Sequence, residues 1–468
     1  MNKQSYYLLP FSFTRISGQE ILVNEVGDMI ISPIGTVQKI VDKELPKDDL
    51  YKSLVSNFFI SETPIPPLLN VLAERLHEKK RFLETWTGLH IFVLTLRCNQ
   101  NCVYCQASSQ GEHNLGCTMT KDVMKKSVDL MFCSPSPEIT MEFQGGEPSL
   151  VPDLLEYGIV LAEEKNRQIH KKITYVLCTN SINLTDRVLE ICKKHNVVIS
   201  TSLDGPEFLH NSNRGKSDSY QKVLKGIEKG RNAVGIERVS ALMTTSVEGL
   251  KYPIEIIDEY KRLGFKSIFL RALNPYGLAT HNDNWEQYTE DFISFYKKAL
   301  DHIIEINLRG EFFVEEFAAI ILRKMLTPYC TGFVDLQSPA GVINSVLVYN
   351  YDGGVYASDE SRMLAEFKDY TFRLGSVDDN YEDIVFGKKA KEIANVWSNE
   401  ALAGCSDCAL KAYCGADPVR NYSTQGDMYG TRFKSLLCRK NKAIIEYIIS
   451  LIVERQEEVL PIFRKWLL

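Results

Sequence analysis

The chain has 468 residues, 44% hydrophobic and 24% charged, with a net charge of −6, the composition of an ordinary soluble globular protein. Its length exceeds the ~250–300 residues at which one hydrophobic core stops growing, so two or three domains are expected. The acidic balance (pI near 5.9) argues against nucleic acid as a partner. No apolar run approaches the ~18–20 residues of a membrane span, and the opening MNKQSYYLLPFSFTR makes a poor signal peptide, so a cytoplasmic location with no membrane partner is expected.

In chain order, YYLLPFSFTRIS and QEILVNEVGDMIIS followed by helix-like stretches around 36–58 and 66–84 predict a small α+β domain over residues 1–88. Six strand-plus-helix units come next, their strands being HIFVLTLRC, EITMEFQGGEP, ITYVLCTNS, VVISTSLDGP, RVSALMTTS and KSIFLRALNP. Near-continuous apolar strands alternating with amphipathic helices predict an α/β fold, a partial (β/α)6 parallel barrel over 89–310. The loops RCNQNCVYC, GGEPSL, TNS and SLDGP all follow strand C-terminal ends, the edge at which parallel sheets bind ligands. Beyond 310, SVLVYNYDGGVYAS predicts a hairpin turning at Asp352-Gly353-Gly354. A cysteine-rich stretch and a helix from about 438 to 465 complete a third segment, 311–468.

Twelve cysteines without a secretion signal read as reduced thiols and metal ligands rather than disulfides. Cys98, Cys102 and Cys105 have the spacing C-x3-C-x2-C; Cys405, Cys408, Cys414 and Cys438 have C-x2-C-x5-C-x23-C. Cys178 and Cys192 sit in apolar runs and read as small buried hydrophobes. Three thiolates can hold three irons of a four-iron cluster and leave the fourth open, and an open position marks a reactive metal centre. A zinc site with a distant fourth ligand is the alternative for the first set, and zinc or a redox pair for the second.

The first cysteine motif, after the first barrel strand and with Tyr104 just before its last cysteine, resembles the radical S-adenosylmethionine (SAM) superfamily. The resemblance implies that the open iron binds the amino and carboxylate groups of SAM. Its one-electron cleavage then gives methionine and a 5′-deoxyadenosyl radical that abstracts hydrogen from a substrate. In FQGGEPSL, Gly145 and Gly146 let the backbone approach a ligand closely; Glu147 and nearby carbonyls are expected to accept from the SAM ammonium, with Pro148 in the same motif. In SLDGPEFLHNSNR, Ser202 and Arg214 are similar to the family residues that bind the SAM carboxylate, for which a guanidinium fork is suited, and Asp204 holds ribose or orders the loop. Asn180 and Ser181 in TNS, where the family often has TNG, fall in the same site. Leu273 packs near the adenine or is a core leucine.

Downstream of such a barrel, the second cysteine set resembles the auxiliary-cluster extension called SPASM, whose full pattern has seven cysteines for two clusters. Here Ser358 and Pro418 stand where cysteines are expected. The resemblance therefore implies one auxiliary [4Fe–4S] cluster on Cys405, Cys408, Cys414 and Cys438, with the inner cluster lost and Cys330 left as an orphan. Removing two hydrogens to form a bond is a two-electron oxidation, whereas initiating SAM cleavage consumes one electron; an auxiliary cluster suits the surplus. Asp359 or Glu360 is the candidate proton acceptor, a solvated acidic loop being the alternative.

SPASM-type enzymes mostly modify peptides, and many carry a small N-terminal domain that binds a precursor's leader by adding a strand to a sheet edge. Residues 1–88 have the size and element order for this. The opening YYLLPFSFTRISGQEILVNEVGDMI, with LTLRCNQNCVYCQAS and SDESRM, resembles the maturases of His-Xaa-Ser peptide systems, whose relatives form cyclophanes. The resemblance implies radical C–C or C–heteroatom crosslinking of a ribosomally made precursor peptide, served by an external flavodoxin- or ferredoxin-like electron donor. Two rivals remain: a sulfatase-maturase-like peptide oxidase, against which Ser358 and Pro418 count, and a non-catalytic iron–sulfur protein that binds a peptide or transfers electrons.

Overall fold

The structure, a computed structural model, describes residues 6–282, 284–332 and 334–468; residues 1–5 of the expected N-terminal domain lie outside the described residues. Its main sheet is mostly parallel and is built from the alternation within the strands. In Glu138–Gly145, Ile139, Met141 and Phe143 are buried against the covering helices, whereas Glu142 and Gln144 point to the other face and line a cavity. Cys178 in Lys172–Thr179 and Ser200 in Val198–Ser202 continue that polar inner face. These three strands thus alternate, one face meeting helices and the other enclosing a ligand-sized space, whereas Leu89–Thr95 is the continuous buried apolar run expected from sequence.

Along the sheet the strands run Val239–Leu242, Val198–Ser202, Lys172–Thr179, Glu138–Gly145 and Leu89–Thr95, all parallel. The helices between them begin at sequence-legible caps: Thr120 accepts from Val123 N–H at 3.2 Å, and Thr185 from Val188 N–H at 3.3 Å. The sixth unit departs from expectation. Its strand shortens to Ser267–Ile268 and pairs in parallel with Val314–Glu315; a single bridge, Thr245 to Ala272, ties this region to the sheet. Glu315 is the cause. Fully buried, its carboxylate accepts from Leu270 N–H at 3.1 Å, Phe317 N–H at 3.2 Å, Ala318 N–H at 2.6 Å and the Tyr296 hydroxyl. It thereby caps the helix Glu316–Leu326 and claims backbone that would otherwise extend the strand.

The hairpin expected in a third domain instead extends this sheet. Val346–Tyr349 pairs in parallel with Leu89–Thr95, and Gly354–Tyr356 and Arg373–Ser376 follow antiparallel. The N-terminal segment forms its own antiparallel sheet, Phe11–Ile16, Gln19–Asn24 and Met29–Pro33, with the helices Thr36–Asp42, Asp49–Ser56 and Pro66–Lys79. Leu22, Ile30, Ile40, Leu54 and Phe59 make its core, while Ile16, Ile21 and Val23 on the other face join the main core beside the helix Leu436–Glu454. No described helix is long and apolar enough to cross a membrane.

Replacing Glu315 with alanine should lower unfolding free energy by roughly 2–4 kcal/mol, because the buried Tyr296 hydroxyl and the helix N-terminus lose their acceptor. A denaturant titration against the wild type checks this.

Candidate active site

The loop carrying Cys98, Cys102 and Cys105 leaves the first strand and is held on every side by backbone. Val103 N–H donates to Asn213 O at 2.9 Å, Leu278 N–H to Cys105 O at 2.8 Å, and Gln106 Nε2 to Asn274 O at 2.8 Å. Gly145 and Gly146 press against the same loop. Gly146 N–H donates to Thr95 O and Glu147 N–H to Arg97 O, both at 2.7 Å. A Cβ on Gly145 would stand 2.0 Å from Thr95 O, and one on Gly146 2.4 Å from Leu96 O, so side chains are excluded at both positions.

The three cysteines, Tyr104, Gly145, Gly146, Asn180, Ser202 and Arg214 line one cavity of about 220 Å³. Within it Asn180 Nδ2 donates to Asn99 Oδ1 at 2.8 Å and lies 3.9 Å from Cys98 Sγ. Ser181 has φ of 56°, the left-handed conformation that explains glycine in a TNG motif. Its hydroxyl, like that of Thr201, is buried without a partner. The orphaned Thr201 hydroxyl, a glycine cradle and three thiols around one cavity fit a nucleotide-bearing cosubstrate over a cluster, while Ser181 is not among the cavity's lining residues.

Other expected contacts are already engaged within the protein. The Glu147 carboxylate, fully buried, accepts from Ser149 N–H at 3.1 Å, Thr179 Oγ1 at 2.6 Å and Asn180 N–H at 2.7 Å. It staples two rim loops and is not among the residues lining the cavity. Pro148 is buried in the short helical turn after it. Asp204 accepts from Tyr104 Oη at 2.6 Å, Arg214 Nε at 3.0 Å and Arg214 Nη2 at 2.8 Å; it orders the loop rather than facing the cavity. Burial works to raise the Asp204 carboxyl, but Arg214 and the Tyr104 hydroxyl hold it below the usual range. Arg214 keeps Nη1 for Cys102 Sγ at 3.6 Å. Leu273 is buried, its N–H donating to Tyr288 Oη at 2.6 Å; Leu242, Thr244 and Met363 line the cavity instead.

Burial, then the Glu147 carboxylate, push the Cys98 thiol up to about 12; burial also raises Cys102, against the pull of Arg214. Such thiols ionise when a metal takes the proton's place. Among the described residues, no three His, Cys, Asp or Glu groups form a single-ion site. A four-iron cluster asks for none, since each thiolate takes its own iron.

A second cavity of about 390 Å³ adjoins the first, sharing Gln144, Cys178, Ser200, Leu242, Arg271 and Asp359 as wall. Cys178, expected to be a buried hydrophobe, therefore faces both cavities. Asp359 and Glu360 are no solvated loop. They begin the helix Asp359–Ala365, capped by Ser358, whose side chain accepts from Ser361 N–H at 3.2 Å, and their side chains are only 17% and 19% exposed. Arg362 holds Asp359 at 3.1 Å and Ala107 O, just past Cys105, at 3.1 Å. Burial, then the Asp335 and Asp359 carboxylates, raise Glu360 to about 8. Sequence reasoning missed Gln144, Ser200 and Arg271; strand parity was the signal that could have found Gln144 and Ser200, whereas Arg271 lies outside the shortened sixth strand.

Cys405, Cys408, Cys414 and Cys438 converge elsewhere, all half-buried. Burial raises Cys405 to about 11 despite Arg432, and the Cys414 and Cys438 thiols add to it; burial likewise raises Cys438, with Cys414 and Cys408 beside it. Asn441 Nδ2 reaches Cys414 Sγ at 3.8 Å and Lys324 Nζ donates to Cys414 O at 3.1 Å. Arg432 Nε and Asn441 Oδ1 are buried without partners, so this set also fits an added group. Pro418 begins the helix Pro418–Gln425 behind its cap Asp417. Cys330 lines a small space next to Cys414.

Residues 92–259 match the Radical SAM superfamily. The radical SAM cyclopropyl synthase TigE of Paramaledivibacter caminithermalis is 30% identical over 49% of this chain and 51% of its own, so the match spans about half of that relative. The cysteine-type anaerobic sulfatase-maturating enzyme of Clostridium perfringens is 24% identical over 66% of this chain and 86% of its own. Among solved structures, native anSMEcpe with bound AdoMet superposes with a TM-score of 0.64 at 18% identity, covering 80% of this chain and 100% of that one. Streptococcus suis SuiB bound to precursor peptide SuiA gives 0.53 at 12%, covering 93% and 100%. Residues 92–259 are thus similar to the Radical SAM superfamily, within an α/β fold of the kind seen in anSMEcpe and SuiB.

Proposed function

We propose that the protein is a radical SAM enzyme that crosslinks a ribosomally made precursor peptide, joining two of its residues through a cyclophane-type C–C or C–heteroatom bond with loss of two hydrogens. One observation carries the reading: a three-thiol cavity adjoins a larger cavity walled by carboxylates, the two sharing lining residues. Cys98, Cys102 and Cys105 would hold the SAM-binding [4Fe–4S] cluster, and Cys405, Cys408, Cys414 and Cys438 the auxiliary one. When bound, SAM on the first cluster supplies the 5′-deoxyadenosyl radical for hydrogen abstraction, and the second cluster supplies an electron acceptor.

The chain's own residues arrange the substrate and the proton. Asn180, Ser202 and the carbonyls around Gly145–Gly146 orient SAM, with Arg214 fixed by Asp204 beside Cys102. Glu360 accepts the proton released as the bond forms: Arg362 holds Asp359 at 3.1 Å, and Glu360 has the raised proton affinity the task needs. The inner-cluster positions have other duties here, Ser358 as a helix cap and Pro418 as the start of a helix, and both border the region of the second cavity. This supports a single auxiliary cluster and counts against the sulfatase-maturase type. Residues 1–88 would bind the leader as an added strand at an edge of their antiparallel sheet, Phe11–Ile16 or Met29–Pro33, and the peptide-bound SuiB structure supports that class of partner. An external flavodoxin- or ferredoxin-like donor in the cytosol would reduce the first cluster.

Co-expression with peptides encoded by short genes beside its own should yield a peptide lighter by two hydrogens. Cys102→Ala should abolish that product, whereas Cys408→Ala should reduce it while the first cluster stays in place. Anaerobically prepared protein should carry about eight irons per chain, and about twelve would restore an inner cluster. Gly146→Ala should displace the cysteine loop and remove the change that SAM causes in the EPR spectrum of the reduced first cluster. A wild-type spectrum unaltered by SAM, with no 5′-deoxyadenosine formed, would overturn the enzymatic reading.

A further inference from the structure

Arg214 and Arg271 line the two cavities, Arg362 and Arg420 lie behind their acidic walls bonded to Asp359 and Asp417, and their commitments differ. Arg214 is bound to Asp204 through Nε and Nη2 and faces Cys102 through Nη1. Arg362 is bound to Asp359 and to Ala107 O, and Arg420 Nη1 donates to Asn274 Oδ1 at 2.6 Å. Arg271 is different. Among the described residues its guanidinium makes one ion pair, with Glu360 at 3.8 Å, beyond hydrogen-bond reach, and its charge also acts on Glu142. Its backbone is fixed, Arg271 O accepting from Thr245 N–H at 2.9 Å, yet its side chain is 34% exposed. It lines both the thiol cavity and the larger one, at the wall they share.

A guanidinium presents five N–H donors, and leaving them at the junction of two cavities points to an acceptor supplied from outside. The surrounding charge selects its kind. Glu142, Asp335, Asp359, Glu360 and Asp417 already crowd acidic groups into the larger cavity, where a further carboxylate is disfavoured, while Arg271 itself would repel a cation placed against it. A peptide backbone is neutral and offers both a carbonyl to the arginine and N–H groups to the carboxylates.

We propose that Arg271 binds a backbone carbonyl of the substrate peptide at the junction of the two cavities, with the facing carboxylates accepting from adjacent amide N–H groups, so that a side chain of that segment is presented to the SAM cavity. The inference rests on the peptide reading and names the residue that selects extended backbone over a free small molecule.

The test compares Arg271→Met and Arg271→Lys with wild type, using the leader-bearing peptides encoded by short genes beside its own. The readouts are 5′-deoxyadenosine formed per modified peptide and the peptide KM. Loss of a charge-assisted hydrogen bond should raise each by roughly ten- to a hundredfold in Arg271→Met, and Arg271→Lys should recover part of the loss. A methionine variant with wild-type coupling and KM overturns the proposal, as do methionine and lysine variants that are equally impaired. Thermal melting identifies a misfolded variant, in which case Arg271→Gln carries the same comparison. Wild-type enzyme that forms 5′-deoxyadenosine but leaves every such peptide unchanged refutes the peptide reading, and this proposal with it.

Discussion

The site depends on backbone pressed against backbone. Gly145 and Gly146 lie so close to the carbonyls of Thr95, Leu96 and Arg97 that no Cβ fits, and the N–H groups of Gly146 and Glu147 donate into those carbonyls. Glu147 then carries the connection sideways, its buried carboxylate gripping Thr179 and the Asn180 N–H. Burial raises the Glu147 carboxyl, and the donors of Ser149, Thr179 and Asn180 oppose that rise. An unpaired buried carboxylate would be costly, so these donors must stay in place. The loops after three successive strands are thereby fixed with respect to one another, and the cysteine loop inherits its position from them.

A polar interior gives those loops something to enclose. The strands turn Ile139, Met141, Phe143 and Leu177 toward the helices and Glu142, Gln144, Cys178 and Ser200 inward. The sheet is stabilised by its outer face, which leaves the inner face free to be chosen for chemistry. The hairpin and the helix Asp359–Ala365 close the space from the side of the first strand. Since Arg362 bonds both Asp359 and Ala107 O, that closure is registered against the cysteine loop itself. The segment after residue 310 is part of the wall of the candidate site.

The sequence was most legible where a single residue type is required. Glycines at a sterically closed position and cysteines at ligand spacing announce themselves locally. Asp359 and Glu360 were harder because the cap that orders them, Ser358, also occupies a position where cysteine was expected. Glu147 was expected to meet SAM and Leu273 either the adenine or the core; the Glu147 carboxylate is engaged in the rim and Leu273 is buried in the main core. The sixth strand was lost to a long-range competitor. Its pattern is sound, yet Glu315, distant in sequence, takes the Leu270 N–H. Arg271 was invisible for the same reason, since its orientation follows from that rearranged segment.

The two thiol sets also sit in different electrical surroundings. Beside the first, the charge of Arg214 is matched by Asp204, and Glu147 adds a carboxylate near Cys98. Beside the second, Arg432 and Lys442 act on Cys438, Lys324 bonds the Cys414 backbone, and Lys440 stands over Phe292 and Phe317 near Cys414; Glu446 offsets Lys442 in part. A positive field stabilises an added electron and a neutral or negative one opposes it. In the proposed assignment, the group that must give an electron to SAM and the group that must take one from the peptide thus occupy the surroundings suited to each. That division arises from charged residues outside both cysteine motifs.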